Sequence, residues 1–398
     1  MAGTDAPTPL LRRVLTFWPL VFYGLAVIVG AGIYVALGAV VRRAGEAAPL
    51  SFLLAGVTAG LTGLCYAELA GRFPEASGGV AYVRHGYGSN RLAQIVGAMI
   101  AASVAIAAAS IALGSVHYLV ILVPIVPPVM IVAMVGGFTL VAMLGVRESV
   151  GLAAVMGVLE IAGLIAATVN GLLIAPDFNL GGIWPSDLQA WRGVVAGAFI
   201  AFFAFIGFET LANLAEEVKE PQRTLPRGIV TAIALSVVIY VAVATAAVLA
   251  DRQGETPLLD LFEGPSATVF AAIGGIAVAN GVLVQIVMLG RLFYGMARNG
   301  QLPEALGVVH PRTATPMRAT LLAGAIILAV ALLVPFEHLL LAANAMALSV
   351  FVLVDIALLL VHRRGPAMPG AFSIPHWIPY AAALLSATLL LAAMIGVG

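Results

Sequence analysis

Charged residues are scarce in this sequence: they make up 10% of the 398 residues, whereas a soluble chain carries about 25%. The 19 basic and 19 acidic residues balance, so no excess of charge indicates a nucleic-acid partner. Cysteine occurs once, as Cys65, which excludes an internal disulfide and a cysteine-rich metal site. There is no phosphate-binding loop, no nucleophile elbow and no histidine pair at metal-binding spacing. We therefore predict neither an enzyme nor a cofactor or metal protein.

Hydrophobic residues make up 62% of the sequence and gather in long runs. A helix that crosses the hydrocarbon core of a bilayer, about 30 Å thick, needs about 20 apolar residues. The runs therefore predict an all-α polytopic membrane protein with eleven transmembrane helices in a single domain, residues 1–398. The eleven stretches are residues 18–41, 49–70, 92–119, 124–145, 151–174, 193–213, 226–249, 266–290, 319–335, 339–361 and 377–396.

The basic residues are distributed unevenly over the connections between these stretches. Short cytoplasmic loops of membrane proteins are rich in Lys and Arg. With the N-terminus placed inside, 15 of the 19 basic residues fall on inner connections and helix ends, and four fall on outer ones. We therefore predict a multi-pass protein of the plasma (inner) membrane with a cytoplasmic N-terminus. Eleven helices would then put the C-terminus outside.

Glycines near mid-membrane mark the first and the sixth stretch, which lie five helices apart. They are Gly30 and Gly32 in the first stretch and Gly207 in the sixth. Many transporters consist of two inverted repeats whose first helices are broken and hold the solute at the breaks. Such breaks free backbone N–H and C=O groups that lipid cannot satisfy. Small residues are also common where membrane helices pack closely, so a binding site and close packing both remain open.

Several segments of these helices and their connections resemble the amino acid–polyamine–organocation (APC) transporter family, in particular its bacterial amino-acid permeases and cationic amino acid transporter-like members. The most specific match runs from residue 204 to residue 226, through the sixth stretch and the connection after it. The other matching segments are residues 30–33, 66–68, 72–75, 78–79, 291–294, 297–300, 302–303 and 371–375. The resemblance covers about residues 15–390, in the expected order.

The resemblance implies a LeuT-type fold of five plus five helices in inverted repeats, with helices 1 and 6 broken and one additional helix. The first repeat would cover about residues 18–175, the second about 192–361 and the extra helix about 377–396. Many members have twelve helices. The helices after the tenth lie outside the repeats, so we expect the substrate site not to depend on a twelfth helix.

The resemblance also implies where a substrate would bind. Backbone N–H groups at the first break would hold a carboxylate, since half-helix N-termini carry partial positive charge. The carbonyls of Ile28, Phe203 and Ile206 would accept from an amino group, and the ring of Phe203 would close over the solute. The implied substrate-binding residues are Ile28, Val29, Gly30, Ala31, Gly32, Ile33, Phe203, Ala204, Phe205, Ile206 and Gly207. Because most contacts come from the backbone, these positions do not identify the side chain of the solute.

Glu160 lies in the middle of the fifth stretch, where a charged side chain costs about 3 kcal/mol on insertion scales. Several proton-coupled relatives carry lysine at the corresponding position, so this chain reverses the sign. Three interpretations remain open: Glu160 is the coupling proton site, it binds a cation or a cationic substrate group, or it pins neighbouring helices as a neutral carboxyl. The matching part of the eighth stretch, residues 277–281, has no serine or threonine, which disfavours a sodium site.

Other polar residues in the stretches have weaker implications. Glu209 follows the second glycine position, and in relatives the matching acid is linked to proton-dependent gating; it could also simply bond the loose backbone there. Asp355 is predicted to reach interfacial water or Arg363. Asn280 and Asn344 could line a cavity or join helices. The charged residues at 216–223 are predicted to be a solvated inner loop or a latch on an inner gate.

These features predict a secondary active transporter that moves an amino acid by alternating access, driven by proton symport or by exchange. Its expected partners are a small amine-bearing solute, protons and the lipid bilayer. Two alternatives remain open. One is a polyamine or organic-amine transporter, which Glu160 would favour, and the other is a sensor that binds the same solute without moving it.

Overall fold

The structure is a computed structural model that describes residues 13–29, 31–120, 125–176, 178–252, 254, 256–334, 336–365 and 371–394. Within these residues the regular elements are helices, and one isolated bridge joins Leu15 to Val218. The α-helices are α1 (Phe17–Val29), α2 (Ala31–Ala44), α3 (Ala48–Arg72), α4 (Gly79–Tyr87), α5 (Asn90–Leu119), α6 (Pro127–Leu144), α7 (Val146–Ile174), α8 (Leu188–Ala201), α9 (Thr210–Asn213), α10 (Pro221–Leu249), α11 (Pro265–Arg298), α12 (Met317–Leu333), α13 (Phe336–Arg364) and α14 (Trp377–Met394).

Nine helical stretches among the described residues are long and apolar enough to cross a membrane. One of them, Gly32–Arg72, joins α2 and α3. Two further apolar helices are shorter: α1 has 13 residues and α12 has 17. The chain is therefore a polytopic α-helical membrane protein, as predicted from its composition, while the number of eleven crossings stays a prediction.

Prolines mark the starts of several long helices. Pro49, Pro127, Pro221 and Pro265 stand in the first turn of α3, α6, α10 and α11. The N–H that proline lacks has no intrahelical partner at this position, and its fixed φ suits a helix start. The sequence thus encodes where these helices begin.

The structure describes every residue of the sixth predicted helix, but it leaves out Gly30 in the first. Gly30 lies outside the described residues, between α1 and α2, so a break there stays a prediction. In the sixth helix α8 gives way to a 3₁₀ turn, Phe202–Phe205, before α9. Ile206 is extended, with ψ 127°, and Gly207 has φ +131°, a conformation that side chains rarely tolerate. The sixth helix is therefore interrupted at the predicted glycine.

The interrupted helix lies at the centre of the bundle. In the most apolar 18-residue window of each stretch, 89% of the residues are buried in Leu188–Asn213 and 83% in α11, whereas only 28% are buried in α6 and α14, which face outward. α1 packs against α7 and α10, and α2 packs against α8 and α11. The first and sixth predicted helices thus meet inside a shell formed by α5, α7, α10 and α11.

Candidate functional site

The interrupted segment after α8 is held by side chains that follow it. A carboxylate oxygen of Glu209 accepts a hydrogen bond from the N–H of Gly207 at 2.8 Å, and the hydroxyl of Thr210 donates to the Gly207 carbonyl at 2.6 Å. The N–H of Ile206 donates to the carbonyl of Phe203 at 3.2 Å. Glu209 therefore bonds the backbone at the interruption, which was one of the two roles considered for it. Its other role, in proton-dependent gating, stays a prediction.

The segment around Gly207 touches the end of α1 and the start of α2. A methyl group added to Gly32 would lie 2.4 Å from the Cα of Ala204, and one added to Gly207 would lie 2.6 Å from the Cγ1 of Val27. Neither distance is tolerable, so any side chain would force the two segments apart. At these two positions glycine allows close packing, which was the alternative to a pure binding role.

A small cavity lies between these segments. Its volume is about 10 Å³, room for about one water molecule. From the predicted substrate residues, it is lined by Ile28, Gly32, Phe203, Ala204 and Ile206. The structure therefore brings five residues from the two predicted breaks to one cavity, which is too small for an amino acid in this conformation.

Among the remaining predicted substrate residues, those whose side chains the structure describes do not line this cavity. Val29, Ile33 and Phe205 are buried in helix contacts, and the ring of Phe205 packs edge-on against Tyr240 with centroids 5.0 Å apart. Gly207 contacts Val27 instead. Gly30 and the side chain of Ala31 lie outside the described residues.

Five lining residues from other helices complete the wall and were not predicted. They are Ala107 and Ile111 on α5 and Gly281, Val284 and Gln285 on α11. Gln285 is buried, and its side-chain carbonyl oxygen has no hydrogen-bond partner among the described residues. An amide in the middle of an apolar helix is a signal that could have identified it.

Tyr240 on α10 joins the two segments. Its hydroxyl contacts the carbonyl oxygen of Ile28 and lies 2.8 Å from the carbonyl oxygen of Ala204. Tyr240 is fully buried and interacts electrostatically with Glu160. A single hydroxyl proton therefore serves a carbonyl on each segment, and one of these is the carbonyl predicted to accept a substrate amino group.

Glu160 on α7 is completely buried, and neither of its carboxylate oxygens has a hydrogen-bond partner among the described residues. Asn280 on α11 is its polar neighbour and donates to the carbonyl of Ala153 at 3.3 Å. An ionised carboxylate in such a place is strongly disfavoured unless a cation or a proton neutralises it. The surroundings of Glu160 thus favour a neutral or cation-bound carboxyl.

Asn344 on α13 donates to the carbonyl of Phe199 on α8 at 2.9 Å. Both asparagines therefore form bonds between helices, the second of their two interpretations. In the part of the chain that the structure describes, no cluster of three or more His, Cys, Asp or Glu side chains could hold a metal ion.

The segment after α9 is latched to α11 and to the residues before α1. The guanidinium of Arg291 pairs with both carboxylate oxygens of Glu217, at 2.7 and 3.3 Å, and both side chains are buried. The carbonyl of Glu217 accepts from the N–H of Leu15 at 3.0 Å, and the Leu15 carbonyl accepts from the N–H of Lys219 at 2.8 Å. Burial raises the pKa of Glu217, and the charge of Arg291 and its hydrogen bond only partly oppose this shift.

This part of the molecule differs in one respect from a solvated loop. Lys219 and Glu220 are exposed, as that prediction requires, but Glu217 is not. Its burial fits the other interpretation of this cluster, a latch on an inner gate.

This chain is similar to known transporters over most of its length. A family model described as amino acid permease matches residues 15–398. The methylthioribose transporter of Bacillus subtilis is 30% identical, over 92% of this chain and 84% of that protein. The branched-chain amino acid permease BcaP of the same organism is 29% identical, again over 92% and 84%. Cationic amino acid transporter 9, chloroplastic, of Arabidopsis thaliana is 31% identical over 76% of this chain and 58% of its own length.

Proposed function

Because this chain belongs to the amino acid permease family, we propose that it is a secondary active transporter that carries an amino acid across the membrane by alternating access. The observation that carries the proposal is the family match over residues 15–398, joined to a central cavity formed by the two glycine-containing segments. Substrate counterflow in vesicles tests it. A transporter exchanges labelled for unlabelled amino acid across the bilayer, whereas a sensor binds the label without moving it.

In the proposed site the substrate is held mainly by backbone. N–H groups at residues 30–33 bind the carboxylate, and the carbonyls of Ile28, Phe203 and Ile206 accept from the ammonium group. Four of these residues, Ile28, Gly32, Phe203 and Ile206, line the cavity. The Ile28 carbonyl is contacted by the hydroxyl of Tyr240, and the Phe203 carbonyl accepts from the N–H of Ile206. The ammonium group must therefore share these acceptors with the present donors or displace the donors.

The transport cycle requires this cavity to expand. An amino acid needs several times the present volume of about 10 Å³, and Gly32 now lies against Ala204 with no side chain between them. Separating the Phe202–Phe205 turn from α2 would open the space. The buried latch of Glu217 and Arg291 would hold the inner side shut until that movement occurs.

Glu160 is the proposed coupling proton site, with Glu209 as a second acid at the interrupted helix. The support for Glu160 is its complete burial without a cation partner among the described residues, beside a tyrosine that contacts the cavity-lining Ile28. A carboxyl so placed would hold a proton in the closed state and release it when water enters. Direct binding of a cationic substrate group is the alternative use of the same carboxyl.

Two further solute classes belong in the first binding screen. A transporter for polyamines or organic amines would use Glu160 as a counter-charge. The methylthioribose transporter among the relatives is named for a solute that is not an amino acid. A thermal-shift screen with amino acids, amines and methylthioribose, followed by vesicle uptake of the hits, decides between these classes.

A further inference from the structure

A second polar cluster lies inside the bundle, away from the cavity, where α3, α13 and α14 meet. The hydroxyl of Thr62 donates to the Oδ2 of Asp355 at 3.1 Å, and it lies 3.4 Å from the hydroxyl of Ser386. All three side chains are completely buried. Asp355 stands nine residues before the end of α13, a rise of about 14 Å along the helix. Asp355 is therefore well inside the helix and closed off from solvent, and it forms no ion pair with Arg363, so the predicted contact with interfacial water or Arg363 is wrong.

The carboxyl group of Asp355 is poorly satisfied as an anion. Its Oδ1 has no hydrogen-bond partner among the described residues, and no arginine, lysine or histidine in those residues forms an ion pair with it. A buried carboxylate that meets only the Thr62 hydroxyl and the weakly donating Cys65 thiol, with no counter-charge, is costly inside a membrane protein. A proton on the carboxyl removes that cost without requiring any further ligand.

A row of polar side chains leads from this cluster to the end of α3. Thr62, Cys65, Glu68 and Arg72 recur every three or four residues, so they share one face of the helix. The thiol of Cys65 interacts electrostatically with both Asp355 and Glu68. The row covers a rise of about 15 Å, which reaches from the Asp355 cluster to the end of α3.

The far end of this row is a dense hydrogen-bonded group. The carboxylate of Glu68 accepts from Arg72 at 2.5 Å, from the Nε2 of His362 at 2.8 Å and from the N–H of Ile374 at 2.9 Å. Arg72 is 12% exposed and therefore reaches the surface. Ile374 precedes α14, so the same carboxylate ties the start of α14 to α3 and α13.

On α3, Cys65 and Tyr66 both interact electrostatically with Asp355, and Tyr66 also interacts with Glu209. On α4, Tyr82 packs on Tyr66 with ring centroids 5.6 Å apart, and the hydroxyl of Tyr87 donates to the carbonyl of Leu353 on α13 at 3.3 Å, while Arg84 and His85 contact Glu75 instead. The other helices packed against α13 carry their ionisable residues near their ends: Arg91, His117, Tyr118, Arg192 and, exposed on α14, Tyr380. On α13 itself the nearest one described is His362, two turns further along.

We propose that Asp355 is a proton-binding site that is loaded from the Arg72 end of α3 through Cys65, Glu68 and His362, and that its proton holds α13 and α14 against α3. The site is independent of the transport mechanism proposed above. Its chemistry is the transfer of a single proton to the Asp355 carboxyl, which becomes neutral.

Linkage between proton binding and stability provides the test. A free aspartate has a pKa of about 3.9, so the unfolded chain releases this proton at neutral pH while the folded protein retains it. When only the folded state binds this proton, the unfolding equilibrium constant rises tenfold for each unit by which the pH is raised, so the protein becomes less stable. We measure the unfolding equilibrium constant of the purified full chain between about pH 5 and pH 8. The wild-type constant should rise by up to a factor of ten per pH unit more steeply than that of the Asp355→Asn variant. Glu304→Gln, an exposed acid-to-amide change, should keep the wild-type slope.

A second variant keeps the proposal testable where Asp355→Asn fails to fold. Thr62→Val removes the hydroxyl that donates to the carboxyl, so the infrared C=O band of a protonated Asp355 should move to higher frequency while the pH slope persists. An unchanged slope in Asp355→Asn, or no band that responds to Thr62→Val, would overturn the proposal. A third outcome would also overturn it: sodium chloride stabilises the wild-type protein more than choline chloride does, and Asp355→Asn loses this difference. The ligand of Asp355 would then be a metal cation and not a proton.

Discussion

The hydroxyl of Tyr240 contacts the carbonyl oxygen of Ile28, and through it α10 joins the end of α1 to the turn after α8. Two main-chain acceptors share one donor at this point. A substrate amino group that seeks the Ile28 carbonyl therefore meets a carbonyl that is already engaged. The removal of the hydroxyl tests how much the closed arrangement depends on it.

Tyr240→Phe should lower stability by about 1–2 kcal/mol, because two buried carbonyls lose their shared donor. We also expect it to shift the protein towards conformations with an open cavity. The melting temperature and the substrate affinity of the purified protein measure these effects. Tyr380→Phe, on the exposed face of α14, is the matched control and should change neither. Wild-type values for both quantities in Tyr240→Phe would mean that the contact is incidental.

Gly32→Val should abolish substrate binding, because the side chain would occupy space beside Ala204 that the site requires. Isothermal titration with a substrate identified by the screen measures this. Gly60→Ala is the control, since a methyl group there meets no atom within 4 Å. A variant with Val at position 32 that retained wild-type affinity and uptake would restrict Gly32 to a packing role.

Glu160→Gln should retain substrate binding and exchange while losing uptake driven by a pH gradient. The amide imitates the protonated carboxyl at nearly the same volume, but it cannot release a proton. Uptake into vesicles with and without an imposed gradient measures the difference, with Glu304→Gln as an exposed control. Gradient-driven accumulation at the wild-type level would exclude the coupling role, and a complete loss of binding would favour direct contact with a cationic substrate.

Arg291→Met should open the latch, because it leaves the Glu217 carboxylate buried without its counter-charge, at a cost of about 3–5 kcal/mol. With Cys65 replaced by alanine, a cysteine at position 15 reports opening, since Leu15 is buried in the latch. We expect labelling to rise at least tenfold at pH 8. The double variant Arg291→Met/Glu217→Leu removes both charges and should remain closed.

The pH dependence of this labelling has a definite sign. The pKa of Glu217 is raised by burial, so the closed latch binds a proton more readily than an open, hydrated one. Stability of the closed latch is therefore greatest at low pH and is lost as pH rises through the raised pKa. Labelling at position 15 in Arg291→Met should fall as the pH is lowered from 8 to 5. An exposed cysteine at position 304 corrects for thiol ionisation, and a corrected rate that rises in acid would refute this assignment.

The orientation prediction is tested by reporter fusions at residue 5 and after Gly398. The distribution of basic residues predicts a cytoplasmic signal for the first and an extracytoplasmic signal for the second. Both reporters on one side would contradict eleven crossings.

The hydrophobic runs were sufficient to predict the helical bundle, because a membrane span requires a length of apolar sequence that few other structures need. Gly207 was equally informative, since its backbone conformation demands glycine. The partners of Glu217 and Asp355 could not be read from local sequence. Arg291 lies 74 residues from Glu217, and Thr62 lies 293 residues from Asp355, so only the fold brings each pair together.

Tyr240 and Gln285 were missed for a related reason. A tyrosine in an apolar helix is unremarkable by composition, and its importance arises from the two carbonyls that it meets across the bundle. Gln285 is polar in an apolar helix, but the pattern alone does not say which side of α11 faces the cavity. Position in the fold decides the role of both residues.

Main-chain atoms meet where Gly32 lies on Ala204, and this has a consequence for how such a protein acquires a new solute. No side chain between these two residues can be shortened to create room or exchanged to alter chemical preference. Side chains that can vary without touching this contact line the same cavity from other helices, namely Ala107 and Ile111 on α5 and Gln285 on α11. We therefore expect substitutions on α5 and α11 to alter which solute is accepted, while the contact between Gly32 and Ala204 stays the same.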